Sequence, residues 1–300
     1  MTAATPSSVE QYLDALRTAF GDADPALVQD ALFDAEEHLR AELAQHPGEV
    51  EAVVLGRIIG SYGAPEEVAD AYRANEVTIQ KALRTPVPRP HRSTLGRFFG
   101  VYSDPRAYLC LVYMLLSLVT GVAYFTFATV GLSLSLGLAI LIIGVPVFLA
   151  FIGIARVVAL AEGRIVESLL GARMPRRPPY RDRTTPFWQR VVEMLKDPRT
   201  WGTLLYLLLM LPLGVFYFTF ALVGLVVSLA IILAPIFVLL YHAGLVQIDG
   251  IVQSPHPAVL PLIAILGILL LTVTMHLARG LGYLHGQLAR TLLVQSRAPA

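Results

Sequence analysis

"GVAYFTFATVGL" runs from Gly121 to Leu132, and "GVFYFTFALVGL" runs from Gly214 to Leu225. The two stretches agree at ten of twelve positions and stand 93 residues apart. Each sits inside a long run without charge. No charged residue occurs between Arg106 and Arg156, between Arg199 and Asp249, or between Asp249 and Arg279. A membrane-crossing helix needs about 20 apolar residues. The repeated word therefore belongs to a polytopic, all-α membrane body, and it marks that body as an internal duplication.

The duplication widens in both directions. "DPRAYLCLVYMLL" from Asp104 aligns with "DPRTWGTLLYLLL" from Asp197 at the same offset of 93. In each, Asp suits a helix cap and Pro the first helical position. "ARVVALAEGRIVESLL" from Ala155 aligns with "ARGLGYLHGQLARTLL" from Ala278 at an offset of 123, so the second half carries 30 extra residues, including "LVQIDGIVQSPHP". Val158, Ala161, Ile165 and Leu169 form a helical stripe, matched by Leu281, Leu284, Leu288 and Leu292. Both late segments read as amphipathic continuations of membrane helices into the interface.

Composition agrees. The 300-residue chain is 55% hydrophobic and 15% charged, against about 25% charged in an average soluble domain. Its net charge of +1 is split unevenly. Residues 1–76 hold fifteen acidic and four basic residues, and the remainder holds seven and nineteen. The expected organisation has five parts. An acidic cytoplasmic helical domain (1–76) precedes a Pro/Arg-rich linker (77–103). Repeat A (104–175) has two spans and an amphipathic helix. A basic cytoplasmic linker (176–196) leads to repeat B (197–295), with two spans, a re-entrant segment, an external loop and an amphipathic helix. The N-terminus lacks a basic segment followed by an apolar run, so no cleaved signal peptide is expected. The single cysteine, Cys110, excludes an internal disulfide framework.

Charge sets the expected topology. Residues 156–199 carry ten Arg and Lys, the tail carries Arg279, Arg290 and Arg297, and 241–257 carries none. The positive-inside rule places both termini in the cytoplasm and 241–257 outside. That requires an even number of crossings: about 107–129, 132–155, 200–222 and 258–279. The stretch from Gly224 to about Tyr241 becomes re-entrant, broken near Pro235. Five spans is the alternative.

In the N-terminal region, Ser7 or Ser8 caps a first helix through about Phe20. Asp24 and Pro25 start a second to about Gln45, and a third runs from about Val50 to Tyr62. Gly63 and Pro65 then make a stop and a new start. "YLDALRTAF", "DAEEHLRAEL" and "YGAPEEVADAYR" resemble the three segments of the HAAS signalling domain, over roughly residues 7–75. The resemblance implies a cytoplasmic module that works with a PadR-type transcription regulator. Glu36, Glu37, His38, Glu66 and Glu67 are the candidate partner-binding residues; the alternative is a solvated helix face. The membrane half, roughly 95–295, resembles the membrane sensor domain at the front of many actinobacterial histidine kinases. It does so through "DPRTW", a G-x-P pattern and the A-R-x-x-A-x-x-E/H-x-R/Q pattern. No phospho-acceptor or ATP-binding module is read in these 300 residues, so the expectation is that a signal passes to another protein.

No cofactor motif, metal-ligand set or catalytic spacing is read. Tyr124, Phe125, Phe127 and their counterparts Tyr217, Phe218 and Phe220 form either an aromatic belt or the walls of a ligand groove. His242, Asp249 and His256 mark the external loop as a candidate metal or pH-sensing site, against ordinary interfacial polar residues. His276 and His285 are expected at the membrane boundary. The expected spans hold no Asp, Glu, Lys or Arg, which argues against an active pump. The expectation is a non-enzymatic bacterial inner-membrane sensor. Its partners are a cytoplasmic regulator and anionic lipid headgroups, with no direct nucleic acid; homo-oligomerisation is left open. The alternative is a permease or transporter accessory for lipophilic compounds.

Overall fold

The computed structural model describes residues 6–83, 93–139, 143–177, 192, 195–245 and 256–294, and no strand occurs among them. The head comprises α1 (Val9–Phe20), α2 (Pro25–Gln45), α3 (Glu51–Tyr62) and α4 (Pro65–Leu83). Its boundaries fall where the sequence places caps. Ser8 accepts from the Gln11 amide, Asp24 accepts from the Ala26 amide, and Gly63 takes a φ of 112° that side chains rarely adopt. Tyr12, Leu16 and Phe20 of α1 meet Leu32 and Leu39 of α2, Leu55 of α3 and Val68 of α4 in one buried core.

A short helix, α5 (Thr94–Phe99), and a 3-10 turn (Gly100–Ser103) lead into the body. The body is built from α6 (Pro105–Gly137), α7 (Gly144–Leu170), α8 (Pro198–His242) and α9 (Leu260–Leu293). These four helices are long and apolar enough to cross a membrane. Asp104 and Asp197 cap α6 and α8, accepting from the Arg106 and Arg199 amides at 3.1 and 3.0 Å.

Two expectations are corrected. First, the chain does not break near Pro235. Residues 198–242 form one helix of 45 residues with Pro212 and Pro235 inside it. At 1.5 Å per residue that is about 67 Å, more than twice a hydrocarbon core of about 30 Å. A proline removes one ladder bond, and in a long apolar helix the flanking turns hold the rest. The expected break near Pro235 is thus absent, and Gly224–Tyr241 is continuous helix.

Second, the two halves do not point the same way. α9 is antiparallel to α8: Gly224 lies against Thr274 and Gly267 against Ile232. α9 also lies alongside α6 in the same sense. Arg279 pairs with Asp104 at 2.9 Å, Gly282 meets Cys110, and His285 reaches Tyr113. α6 and α8 therefore run in opposite senses. At their closest approach a Cβ at Gly121 would collide with the Met210 carbonyl, and one at Gly214 with the Ser117 carbonyl. The repeated word thus begins at the glycine that lets each backbone touch the other. An in–out–in–out path entering twice from one face would run α6 and α8 together; the structure places the turns after α6 and after α8 at opposite ends of the pair.

Candidate functional site: a buried Tyr–Glu–His cluster beneath the docked head

The stripe of α7 that packs inward is Ala155, Glu162, Gly163 and Val166; on α9 it is Ala278, Gly282, His285, Gly286 and Ala289. Glu162 and His285 fall at matching places in the two late segments, 123 residues apart. Glu162 is 0% exposed and His285 1%. Both groups are thus enclosed among the helices rather than set on an outer face. The apolar stripes flank these groups, and the buried face carries the polar ones.

Four tyrosines surround the pair. The hydroxyl of Tyr113 lies 2.8 Å from Glu162 Oε1 and 2.6 Å from His285 Nε2. That of Tyr206, 93 residues later, lies 2.9 Å from the same Oε1 and 3.0 Å from the same Nε2. Tyr124 donates to Glu162 Oε2 at 2.9 Å, and the Tyr217 hydroxyl is 3.3 Å from His285 Nδ1. Every polar atom of both titratable side chains thus meets a hydroxyl. Each half supplies two tyrosines and one titratable group, and Tyr113 and Tyr206 bond to groups from both halves.

Tyr124 and Tyr217, named from the sequence, belong to this cluster. Phe127 packs against Phe151, with ring centroids 5.2 Å apart, and Phe220 stacks on Phe216. Phe125 and Phe218 are half-buried. At the loop, the His242 ring faces the Val238 carbonyl and His256 accepts from the Ala258 amide. Asp249 lies outside the described residues.

Just past α7 the chain turns at Gly171, φ 72°, into an extended strap, residues 171–177. Its inner face touches the neighbours of the cluster: Met174 packs on Gly163, and Ala172 packs on Gly286. Its outer face holds the head. Arg173, with its side chain 11% exposed, reaches Asp30 and Glu76 of the head at 2.9 Å each and Glu167 of α7 at 3.4 Å. Asp30 also accepts from the Arg176 and Arg177 amides at 2.6 and 2.7 Å. Burial lifts the Asp30 carboxyl above its ordinary range, while those amides and Arg173 pull it back. Arg177 pairs with Asp34, Arg199 of α8 donates to Gln29, and Arg290 of α9 pairs with Asp24. Ala26 is buried in the apolar cluster that contains Met174 and Val294. The acidic face of α2 is docked on the basic end of the body.

The head residues named from the sequence lie elsewhere. Glu36 is buried and pairs with Arg40 at 2.8 Å, His38 stacks on Tyr62, and Glu67 accepts from the Ala64 amide. Glu37 and Glu66 are exposed.

Compared with known protein families, the chain matches the one described as Putative sensor over residues 113–293, more than half of its length. The chain belongs to this sensor family. The sensor segment begins at Tyr113 and contains all six side chains of the cluster, with the strap between its two halves; the head lies outside it. With four candidate spanning helices, the protein is a multi-pass membrane protein. No curated protein and no solved structure matched the chain.

Proposed function

We propose that the protein is a non-enzymatic signalling protein of the bacterial inner membrane. Its sensor body reports a change within the membrane to the head, and the head passes it to a cytoplasmic regulator. The observation that carries this is the strap. Residues 172–174 rest on the glycines next to Glu162 and His285, while Arg173 holds Asp30 and Glu76 of the head. A rearrangement of the buried cluster moves the surface on which the head is docked. The HAAS resemblance of the head names a PadR-type transcription regulator as the partner, with Glu37 and Glu66 on the exposed surface it would meet. Membership of the sensor family supports the sensing half of the reading.

The two halves act as copies of one unit, joined where Tyr113 and Tyr206 bridge the Glu162–His285 pair. The Arg290–Asp24 pair ties the end of α9 to the head. A pull-down with residues 1–76, which carry a core of their own, tests the relay. Recovery of a PadR-type regulator supports it, and failure to retain any transcription regulator counts against it.

One observation favours a second reading. Two similar halves running in opposite senses, with a titratable pair where they meet, is a pattern of transporters built from inverted repeats. An efflux or accumulation phenotype that survives deletion of residues 1–76 would favour a permease.

A further inference from the structure

The hydrogen atoms in the cluster can be counted. Tyr113, Tyr124 and Tyr206 each own one hydroxyl proton, and an ionised Glu162 takes all three. Tyr113 and Tyr206 then present only lone pairs to His285 Nε2, so Nε2 must carry a proton. If Nδ1 is bare, it accepts from Tyr217, every group is satisfied, and the cluster has a net charge of −1. If Nδ1 also carries a proton, it donates to the Tyr217 oxygen and the cluster is neutral. A third arrangement, Glu162 protonated on Oε1 beside a neutral imidazole, is neutral too.

The titratable groups that face the pair are Tyr113 and Tyr124 from α6 and Tyr206 and Tyr217 from α8; Cys110 of α6 lies one turn away, against Gly282. The strap contributes only Ala172 and Met174 at this level. None of these supplies a cation. An uncompensated charge in such an interior is strongly disfavoured, while a neutral, fully bonded cluster is not.

We propose that Glu162 and His285 form a binding site for one proton beyond the ionised-carboxylate, neutral-imidazole state. Tyr113 and Tyr206 are its relays. In a transfer, Nε2–H passes its proton to a tyrosine oxygen while that hydroxyl passes its own to Glu162 Oε1. One N–H and one O–H bond break, one of each oxygen's O–H bonds forms, and no atom is left over. The imidazolium–carboxylate and imidazole–carboxylic acid states are thus two hydrogen-bond settings of one site. Loss of the proton leaves a net negative charge, and the cost of burying it falls when water enters between α7, α9 and the strap. As a statement about what the body detects, this rests on the sensor reading; the proton count itself does not.

The test uses the full chain in lipid nanodiscs at pH 7. Infrared difference spectra against Glu162→Gln report the carboxyl, and nitrogen NMR of labelled histidine against His285→Gln reports the ring. The expected result is either a carboxylic acid band with a neutral ring or a carboxylate with an imidazolium. An ionised Glu162 beside a neutral His285 overturns the site. In His285→Gln the proton must sit on Glu162, so a carboxylate there also overturns it. A proton site that titrates while maleimide labelling of Ala26→Cys stays constant across pH would leave the site standing and remove the signalling reading instead.

Discussion

Arg173→Ala should release the head from the body. The guanidinium is 11% exposed and lies against Asp30, Glu76 and Glu167; the Asp30 and Glu76 side chains are each 9% exposed. Breaking a buried pair from one side costs about 3–5 kcal/mol, because the other charge is left behind. Asp30 keeps the Arg176 and Arg177 amides, so the lower end, about 3 kcal/mol, applies to docking. At 1.4 kcal/mol per tenfold, that is roughly a 100-fold rise in the undocked fraction. Ala26, 0% exposed, is the reporter. It is buried in the same apolar cluster as Met174 and Val294, so an Ala26→Cys thiol should react with maleimide when the head is away. The labelling rate, read against the same chain without that cysteine, should rise by one to two orders of magnitude. Cys110 is buried and stays silent. A change below threefold would refute the view that this arginine locks the interface.

Gly121→Ala and Gly214→Ala should each lower the melting temperature of the detergent-solubilised body, since each Cβ meets a carbonyl of the facing helix rather than a flexible side chain. Gly280→Ala, with open space around it, should raise stability by about 1 kcal/mol through helix propensity. Tyr113→Phe and Tyr206→Phe each remove a bridge to both Glu162 and His285, at about 1 kcal/mol apiece. The double variant should cost more than the sum in denaturant unfolding, because Glu162 Oε1 and His285 Nε2 then have neither hydroxyl. A reporter fused after Ala300 should mark the same side of the membrane as one fused before Met1, since Arg290 is bound to Asp24 of the head; signals on opposite sides would overturn that docking.

The head was legible in the sequence because local chemistry sets its boundaries. Ser8, Asp24, Pro25, Gly63 and Pro65 each act on their own neighbours. The apolar helices of the body were legible for the same reason. The direction of α8 relative to α6 was not. Equal words at a fixed offset say that two units are alike, and nothing in them says whether the axis relating the units runs along the helices or across them. Charge rules gave a path with parallel halves because they consider each span alone. The cluster was hidden by the same habit: Glu162 and His285 sit in segments with arginines and an apolar stripe, which reads as interface. A usable signal was present. The offset of 93 pairs Tyr113 with Tyr206 and Tyr124 with Tyr217, and the offset of 123 pairs Glu162 with His285, so one polar set recurs in two halves. The opposite charges of head and body were visible too, but their contact was not, because Asp24, Asp30 and Asp34 meet arginines about 140 or more residues away.

The central claim is that the body's buried cluster governs the head through the strap. The most direct measurement is the Ala26→Cys labelling rate in the full chain in vesicles, with Glu162 native and with Glu162→Ala. Removing the carboxylate strips three tyrosines of their acceptor and loosens the surface under Met174. The account predicts at least about a tenfold faster reaction, a tenth of the docking constant being 1.4 kcal/mol, with the head's own melting unchanged. An unchanged rate in a protein whose body has demonstrably lost stability would contradict it.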